Sequence, residues 1–251
     1  MLKKFLFVDL DDSLFQTPGK CPPGEALEPA AYLKDGSACS FTTRRQRTLL
    51  NFVDREMTLI PATARNHNAF TRVGLPFSSY AILDYGGVLL APDGTLDPAW
   101  QEDMAASMAV ALPGLQDILA RINDYAAIRG YVGRARLIED FGLTFYVVIK
   151  DVDWLRGSLA RIEEECVTPW VVGAGSDFFI HRNGNNLAVL PKSLNKARAV
   201  THLCQRLKAM HGDILTFGLG DSRSDARFMA ACDYAIIPRG TQLAALTLEK
   251  L

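Results

Sequence analysis

The sequence predicts an α/β fold in which a doubly wound parallel sheet, flanked by helices, carries an inserted α+β module. The apolar run Phe5–Val8 has the pattern of a strand buried on both faces, as in a parallel sheet. Alternating strand and helix patterns follow it up to residue 97 and return from residue 192. The intervening residues 98–191 show the order α-β-β-α-β-β, which is typical of an antiparallel sheet with helices on one face. We therefore expect a discontinuous core, 1–97 and 192–251, and an inserted module at 98–191.

Composition and charge exclude several classes of partner. The 251 residues carry a net charge of −1, so there is no general attraction to nucleic acid or to an anionic membrane. The five cysteines are scattered and lack CxxC spacing, which favours free thiols in a reducing compartment. The first apolar run meets Asp9 too early for a signal peptide, and no apolar stretch approaches the roughly 20 residues of a membrane helix. We expect a cytoplasmic monomer or homodimer that binds a small molecule.

The first part of the core contains a long loop between regular elements. Residues 16–43 are rich in proline, glycine and small residues, and Asp35-Gly36 is a turn signal for a small hairpin over 32–39. A loop of this length is usually functional or an interaction surface, so we expect part of a pocket wall or a dimer contact. Hydrophobic spacing then predicts a helix at 44–55, strands at 57–60 and 81–83, and a hairpin strand at 88–90.

The inserted module and the end of the core follow in order. A helix is predicted over 98–125, with a break allowed at Pro113-Gly114. The other elements predicted in the module are strands at 134–138 and 143–149, a helix at 153–166, and strands at 170–172, 178–180 and 187–190. The elements predicted after Pro191 are a helix at 195–211, a strand at 214–217, a helix at 225–231 and a strand at 234–237.

Three carboxylates, Asp9, Asp11 and Asp12, come directly after the first strand. Open α/β sheets bind their ligands at the carboxyl ends of their strands, so these side chains are expected at a ligand site. Like charges this close raise one another's pKa unless a cation lies among them, and an oxygen-only cluster suits Mg²⁺. Taken alone, an Asp-rich turn that caps a helix is the simpler explanation. Three further motifs downstream argue against it.

Paired carboxylates at this spacing suit phosphoryl transfer. Asp9 can attack phosphorus and carry the phosphoryl group, which divides one hard step into two. Asp11 can protonate the leaving oxygen and then activate water. Residues two apart along an extended chain share a face, so both carboxylates can address one substrate. Ser13 adds a hydroxyl on the same turn.

The downstream motifs supply an anion site and more carboxylates. Thr63 ends the second strand, where its hydroxyl and the backbone N–H of Ala64 can hold a phosphate oxygen. Lys196, near the start of a helix, suits both phosphate and crowded aspartates. Asp221 and Asp225 follow an apolar strand and two glycines. Singly, each has an ordinary explanation: a helix cap for the threonine and the aspartates, a solvated surface position for the lysine. Their common placement and order favour one site.

On these four motifs the chain resembles the haloacid dehalogenase-like phosphatases over nearly its whole length. The insertion resembles the αββαββ cap of the group that contains sucrose-phosphate and mannosylglycerate-phosphate phosphatases, on a Rossmann-like core. The resemblance implies Asp9 as nucleophile and Asp11 as general acid/base. It also implies Mg²⁺ held by Asp9, the Asp11 backbone carbonyl and Asp221, with Asp225 supporting or completing the metal shell. Residues implied to bind the phosphoryl group are Ser13, Thr63, Ala64 and Lys196.

The sequence departs from the family pattern at three positions. Asp12 stands where the family usually has glycine, Ser13 replaces the common threonine, and Ala64 replaces a frequent glycine. The serine keeps the hydroxyl, whereas Asp12 adds negative charge beside the metal or points outward. An acid at Asp11 is informative, because members that dehalogenate lack it and the ion-pumping ATPases carry threonine there. Phosphate-ester hydrolysis is therefore favoured.

Substrate specificity is expected from the cap and from two residues that follow Thr63. The candidates are Arg65, Asn66, Arg134, Arg136, Lys150, His181, Arg182 and Asn183. The predicted substrate is a small phosphorylated metabolite, such as a sugar phosphate or a glycosyl-glycerate phosphate. Two alternatives remain open: a sugar phosphomutase with the same core and cap type, and a regulatory or binding member of the fold that has lost useful turnover.

Overall fold

A computed structural model describes residues 2–151 and 157–250. The chain divides into two compact units, one formed by Met1–Gln101 and Asn195–Leu251 and the other by Glu102–Leu194. The predicted divisions fell after residues 97 and 191, a few residues before these boundaries.

The described strands are β1 (Lys3–Val8), β2 (Glu28–Tyr32), β3 (Ala38–Thr42), β4 (Thr58–Pro61), β5 (Ala81–Leu83), β6 (Val88–Leu90), β7 (Arg136–Asp140), β8 (Leu143–Lys150), β9 (Phe178–Asn183), β10 (Asn186–Pro191), β11 (Ile214–Leu219) and β12 (Tyr234–Ile236). The described α-helices are α1 (Arg44–Asp54), α2 (His67–Phe70), α3 (Pro98–Ile128), α4 (Ser158–Ile162), α5 (Thr168–Val172), α6 (Lys196–His211), α7 (Ala226–Met229) and α8 (Gln242–Leu246).

The first unit is built on a parallel sheet with strand order β12-β11-β1-β4. Strand β1 lies inside it, pairing in parallel with β11 on one side and β4 on the other. Both faces of β1 are covered, since Leu6 and Val8 on one face and Phe5 and Phe7 on the other are all buried. The predicted α/β class with a parallel sheet is therefore confirmed.

Two hairpins accompany this sheet. Strands β2 and β3 pair antiparallel and enclose the predicted Asp35-Gly36 turn, where Gly36 has a φ of +84° that glycine adopts easily. Strands β5 and β6 pair antiparallel, and an isolated parallel bridge joins Ala62, just after β4, to Ile82. The end of β4 and the β5–β6 hairpin thus lie side by side.

Helix α1 begins with a capping box that also reaches the first turn of the chain. The Thr43 hydroxyl accepts from the Gln46 backbone N–H at 3.3 Å, and the Gln46 side chain accepts from the Thr43 N–H at 2.9 Å. The Gln46 amide also donates to the Ser13 carbonyl at 3.3 Å. The N-terminus of α1 is therefore tied to the turn that follows β1.

The second unit contains an antiparallel sheet with strand order β7-β8-β10-β9. Apolar residues of β8 and β10, including Val147, Ile149, Leu187 and Val189, form one cluster with residues of α3, α4 and α5. Helices therefore cover one face of this sheet, as the predicted order implies.

One predicted strand is wrong. The segment Trp170-Val171-Val172 is helical, because α4, a π-helical stretch at Glu163–Val167 and α5 make one helical segment. The β-branched pair suggested a strand, but Pro169 suits the first turn of a helix and Trp170 packs into the cluster of this unit. The predicted start of the preceding helix, at Asp153, lies outside the described residues.

Helix α3 differs from its prediction in another way. It runs without interruption from Pro98 to Ile128 and keeps Pro113 inside it, so the allowed break at Pro113-Gly114 does not occur. An added Cβ at Gly114 would lie 2.5 Å from the Phe178 ring, so the glycine allows close packing on β9.

Over residues 2–151 and 157–250, no helix combines the length and the apolar character needed to cross a membrane.

Candidate active site

The functional residues lie at the carboxyl edge of the parallel sheet. Val8 at the end of β1 is level with Leu219 of β11 and with Pro61 of β4. The Asp9 N–H then donates to the Leu219 carbonyl at 2.9 Å, and the Ala62 N–H donates to the Val8 carbonyl at 2.8 Å. Because the three strands end together, the residues that follow them share one small region.

Three carboxylates converge there. One carboxylate oxygen from each of Asp9, Asp221 and Asp225 lies within 4.8 Å of the others. Asp9 and Asp225 are 6% and 1% exposed, whereas Asp221 is partly exposed. The Ser13 hydroxyl donates to Asp221 at 3.4 Å. The structure thus brings together carboxylates from positions more than 200 residues apart.

Lys196 lies among these carboxylates. Its Nζ donates to Asp9 Oδ1 at 2.5 Å and to Asp225 Oδ1 at 2.7 Å, and the residue is 6% exposed. Asn195 caps α6, because its side chain accepts from the Arg198 N–H at 3.0 Å, and this makes Lys196 the first residue of the helix. The explanation of Lys196 as a solvated surface lysine is therefore wrong.

A glycine fixes the start of α6. Gly86, between β5 and β6, has a φ of +101°, and an added Cβ would lie 2.6 Å from the Asn195 carbonyl oxygen. The Trp100 indole N–H donates to the Gly86 carbonyl at 2.9 Å. Any larger residue at 86 would displace the helix start, and with it the ammonium group of Lys196.

The loop after β11 orients Asp225. Its Oδ2 accepts from the Ser222 N–H at 3.1 Å and from the Ser222 hydroxyl at 2.5 Å, while Oδ1 accepts from Lys196. Gly220 permits this arrangement, because an added Cβ there would lie 2.5 Å from the Asp225 Cβ. Both oxygens of Asp225 are engaged by the protein, so this residue positions Lys196 and the loop.

The cluster carries more negative charge than Lys196 neutralises. Burial, followed by the charges of Asp225 and Asp12, raises the pKa of Asp221 to about 6. Burial also raises the pKa of Asp9 well above its ordinary value, although Lys196 opposes this. Burial disfavours the charged form of Asp225 too, but Lys196 and Ser222 hold its pKa below the ordinary value. An excess of carboxylate oxygens with these pKa values suits a hard divalent cation.

Asp11 lies outside this cluster and is paired with Arg65. The guanidinium binds both carboxylate oxygens, Nε to Oδ2 at 2.8 Å and Nη2 to Oδ1 at 2.7 Å, and it lies over the Phe15 ring at 5.1 Å. The Asp11 side chain is 42% exposed. Arg65 was predicted as a specificity residue, and its ion pair with Asp11 was not predicted, because spacing gives no sign that residue 65 reaches residue 11.

The residues around Thr63 have defined contacts. Thr63 is buried, its N–H donates to the Ile82 carbonyl at 2.9 Å, and its hydroxyl oxygen accepts from the Arg65 N–H at 3.1 Å. Ala64 is partly exposed. Asn66, predicted as a specificity residue, caps α2 by accepting from the Ala69 N–H at 2.9 Å.

Asp12, which stands where the resembled family usually has glycine, adopts the left-handed conformation with a φ of +64°. Glycine is favoured there because it has no Cβ, and aspartate is among the residues that tolerate this region. The Asp12 carboxylate forms an ion pair with Lys20, which ends a 3₁₀ turn at Pro18–Lys20.

Tyr85 was not among the predicted site residues. It also has a left-handed backbone, with a φ of +57°, and its N–H donates to the Thr63 carbonyl at 3.1 Å. Burial raises the pKa of its hydroxyl, the charge of Lys196 opposes this, and the charge of Asp9 adds to it. A bulky residue in this conformation is unusual and often marks a functional position. Tyr85 precedes two glycines in the sequence, a pattern that is typical of a turn.

The predicted specificity residues of the second unit divide between the two faces of its sheet. Asn186 pairs with both Lys150 and Asn183, while Ala188 pairs with His181. Because paired residues and residues two apart share a face, Lys150, His181 and Asn183 lie on one face. Arg136 is level with Val148 and joins that face. The other two predicted residues are Arg182, which donates to Glu163 at 2.9 Å, and Arg134, which is exposed just before β7.

The chain is similar to known proteins in sequence and in fold. The sequence model of the sucrose-6F-phosphate phosphohydrolase family matches residues 176–247, which include Lys196, Asp221 and Asp225. No match was found among curated protein sequences.

Solved structures with the same fold include three sugar-phosphatase relatives. A sucrose-phosphatase from Synechocystis sp., solved with sucrose and phosphate, has a TM-score of 0.59 and 18% identity over 99% of this chain and 88% of its own. The C-terminal domain of the C. albicans trehalose-6-phosphate phosphatase has a TM-score of 0.56 and 14% identity over 92% and 73%. A trehalose-6-phosphate phosphatase related protein has a TM-score of 0.51 and 17% identity over 95% and 88%.

The chain shares its fold with these sucrose- and trehalose-phosphatase structures, and the predicted resemblance to phosphatases of this kind is confirmed at the level of the fold. The sequence match over residues 176–247 agrees with the predicted resemblance to the sucrose-phosphate phosphatase group, and the similar structures are named as phosphatases, the class of enzyme that the sequence predicted.

Proposed function

We propose that the protein is a metal-dependent phosphatase that hydrolyses a small sugar phosphate through a phosphorylated Asp9. The observation that carries this proposal is the convergence of Asp9, Asp221 and Asp225 within 4.8 Å, with the Lys196 ammonium bound to two of them. Buried like charges with a single neutralising lysine are costly in a purely structural role, whereas a site for a cation and a phosphoryl group requires them.

Asp9 and Asp221 would hold the divalent cation, Mg²⁺ being the natural choice for a site of oxygen donors, with the Asp11 backbone carbonyl as a further ligand. When bound, the cation neutralises charge that develops on the phosphoryl oxygens. Lys196 holds Asp9 and presents positive charge to the same oxygens, and the Thr63 hydroxyl and the Ala64 N–H donate to them. Asp9 attacks the phosphorus, the leaving oxygen departs, and water then hydrolyses the acyl phosphate.

Asp11 acts as general acid and then as general base. Its partly exposed carboxylate lies two residues from Asp9 and outside the metal cluster, where a leaving oxygen and later a water can reach it. The bidentate contact from Arg65 fixes its orientation, as such contacts do for carboxylates. Arg65 is therefore assigned to positioning Asp11 instead of to substrate specificity.

The candidate residues for recognising the sugar part of the substrate are Arg136, Lys150, His181 and Asn183, which share one face of the sheet in the second unit. Imidazole, amide and cationic side chains on neighbouring strands offer the hydrogen-bond donors and acceptors that a polyhydroxylated ligand requires. The structural relatives with TM-scores above 0.5 are named for sucrose and trehalose phosphates, which supports this class of substrate.

The proposal is tested by a screen of sugar phosphates and p-nitrophenyl phosphate, scored by released phosphate with Mg²⁺ and with excess EDTA. We expect phosphate release that requires the cation and is fastest with a sugar phosphate. Conversion of a hexose 1-phosphate to the 6-phosphate without net phosphate release would identify a phosphomutase instead. Sugar-phosphate binding without turnover of any compound would identify a regulatory member of the fold.

A further inference from the structure

The segment 16–43 contains Lys20, which lies beside Asp12, a carboxylate to which the four motifs assign no role. Lys20 pairs with Asp12, the residue that stands at the family's usual glycine position. The Asp12 N–H donates to the Phe15 carbonyl at 2.7 Å, and this hydrogen bond closes the turn that carries Asp11, Asp12 and Ser13. The charge of Asp12 is one of the causes that raise the pKa of Asp221. A negative charge there repels an anionic substrate.

The chain holds Lys20 in place through several contacts. Gln16 and Phe41 exchange backbone hydrogen bonds, Gln16 N–H to Phe41 O at 3.0 Å and Phe41 N–H to Gln16 O at 2.8 Å. The Gln46 amide donates to the Gln16 side chain at 2.6 Å and to the Ser13 carbonyl at 3.3 Å. The Lys20 N–H donates to the Thr17 carbonyl at 3.0 Å and closes the 3₁₀ turn. The turn that carries Lys20 is thus tied to the turn that carries Asp12.

We propose that Lys20 is a positioning residue of the candidate active site: by pairing with Asp12 it neutralises a carboxylate that would otherwise repel the phosphate group of the substrate. The inference rests on the proposed function and gives the segment 16–43 an electrostatic role in it. An exposed ion pair contributes little to stability, and the Lys20 side chain is 55% exposed. The pair therefore affects anion binding more than folding.

The test is a double-mutant cycle read by binding of inorganic phosphate. Calorimetry in the presence of Mg²⁺ measures phosphate affinity for the wild type, Lys20→Met, Asp12→Asn and the double variant. We expect Lys20→Met to bind phosphate about fivefold more weakly, as expected for one unpaired charge at the edge of a site. The double variant is expected to match Asp12→Asn within about twofold, because Lys20 acts only through Asp12. Lys20→Arg is expected to keep the wild-type affinity.

A matched control removes the same charge elsewhere. Lys4 pairs with Glu56 at 3.0 Å and lies five residues before Asp9 on β1, about 16 Å away along the strand. Lys4→Met is expected to leave phosphate affinity unchanged. We also expect the deficit of Lys20→Met to shrink in high salt, where exposed charges are screened, and its thermal midpoint to stay near that of the wild type.

Two results would overturn the proposal. If Lys20→Met weakens binding equally in the native and Asp12→Asn backgrounds, Lys20 contacts the phosphate itself; if it has no effect in the native background, the pair is only a surface contact. Because phosphate binding needs no turnover, the cycle can be read even when no sugar phosphate is hydrolysed. A failed substrate screen and a failed double-mutant cycle are therefore separate outcomes.

Discussion

Asp9→Asn is expected to reduce phosphate release by at least about a thousandfold, because it removes the oxygen that we propose as the acceptor of the phosphoryl group. The amide is close in size to the carboxylate and can still accept a hydrogen bond from Lys196. The fold should therefore survive, and circular dichroism and gel filtration should match the wild type. Initial rates with the best sugar phosphate, at saturating Mg²⁺, measure the effect.

A matched control for this variant is Asp54→Asn, at the exposed C-terminal end of α1. It makes the same chemical change away from the sheet edge, and we expect wild-type activity. Asp9→Asn with more than a tenth of the wild-type rate would show that Asp9 is not the nucleophile. Mass spectrometry of the acid-quenched wild type should detect phosphate attached to Asp9.

Lys196→Met is expected to lower both activity and stability. The variant leaves Asp9 and Asp225 buried without their shared cation, and breaking a buried ion pair costs about 3 kcal/mol of unfolding free energy. Activity should fall at least a hundredfold, about the cost of losing one preorganised charge in a transition-state site. Urea denaturation and initial rates at saturating substrate measure the two effects.

The control is Lys208→Met on the exposed side of the same helix, which should change neither quantity measurably. Added Mg²⁺ should recover part of the stability lost in Lys196→Met, since it neutralises the same carboxylates. A Lys196→Met variant with wild-type stability and rate would show that Lys196 contributes neither to folding nor to catalysis, which contradicts its proposed role.

The site could be predicted from sequence where it depends on strand ends. Asp9 and Asp221 each follow an apolar strand, and parallel strands bring their carboxyl ends to one edge, so their meeting follows from the pattern. Lys196 was harder to place, because a lysine at a helix start is usually solvated. Its burial depends on the close approach of Gly86 to Asn195, which no periodicity reveals.

Pairings between loops could not be predicted, because side-chain contacts across turns leave no repeat in the sequence. The Asp11–Arg65 and Asp12–Lys20 ion pairs are of this kind. Similarly, Trp170-Val171-Val172 has the composition of a strand, and tertiary packing of Trp170 within a helical segment outweighs that local preference.

The most direct test of the account is a calorimetric titration of Mg²⁺ into the metal-free protein. We expect one binding site, and an affinity at least about tenfold lower in Asp221→Asn, because Asp221 is proposed as a ligand and Lys196 pairs with Asp9 and Asp225 instead. Asp54→Asn should bind as the wild type does. Equal affinity of the wild type and Asp221→Asn, or no binding by either, would contradict a cation site at the meeting point of residues 9, 221 and 225.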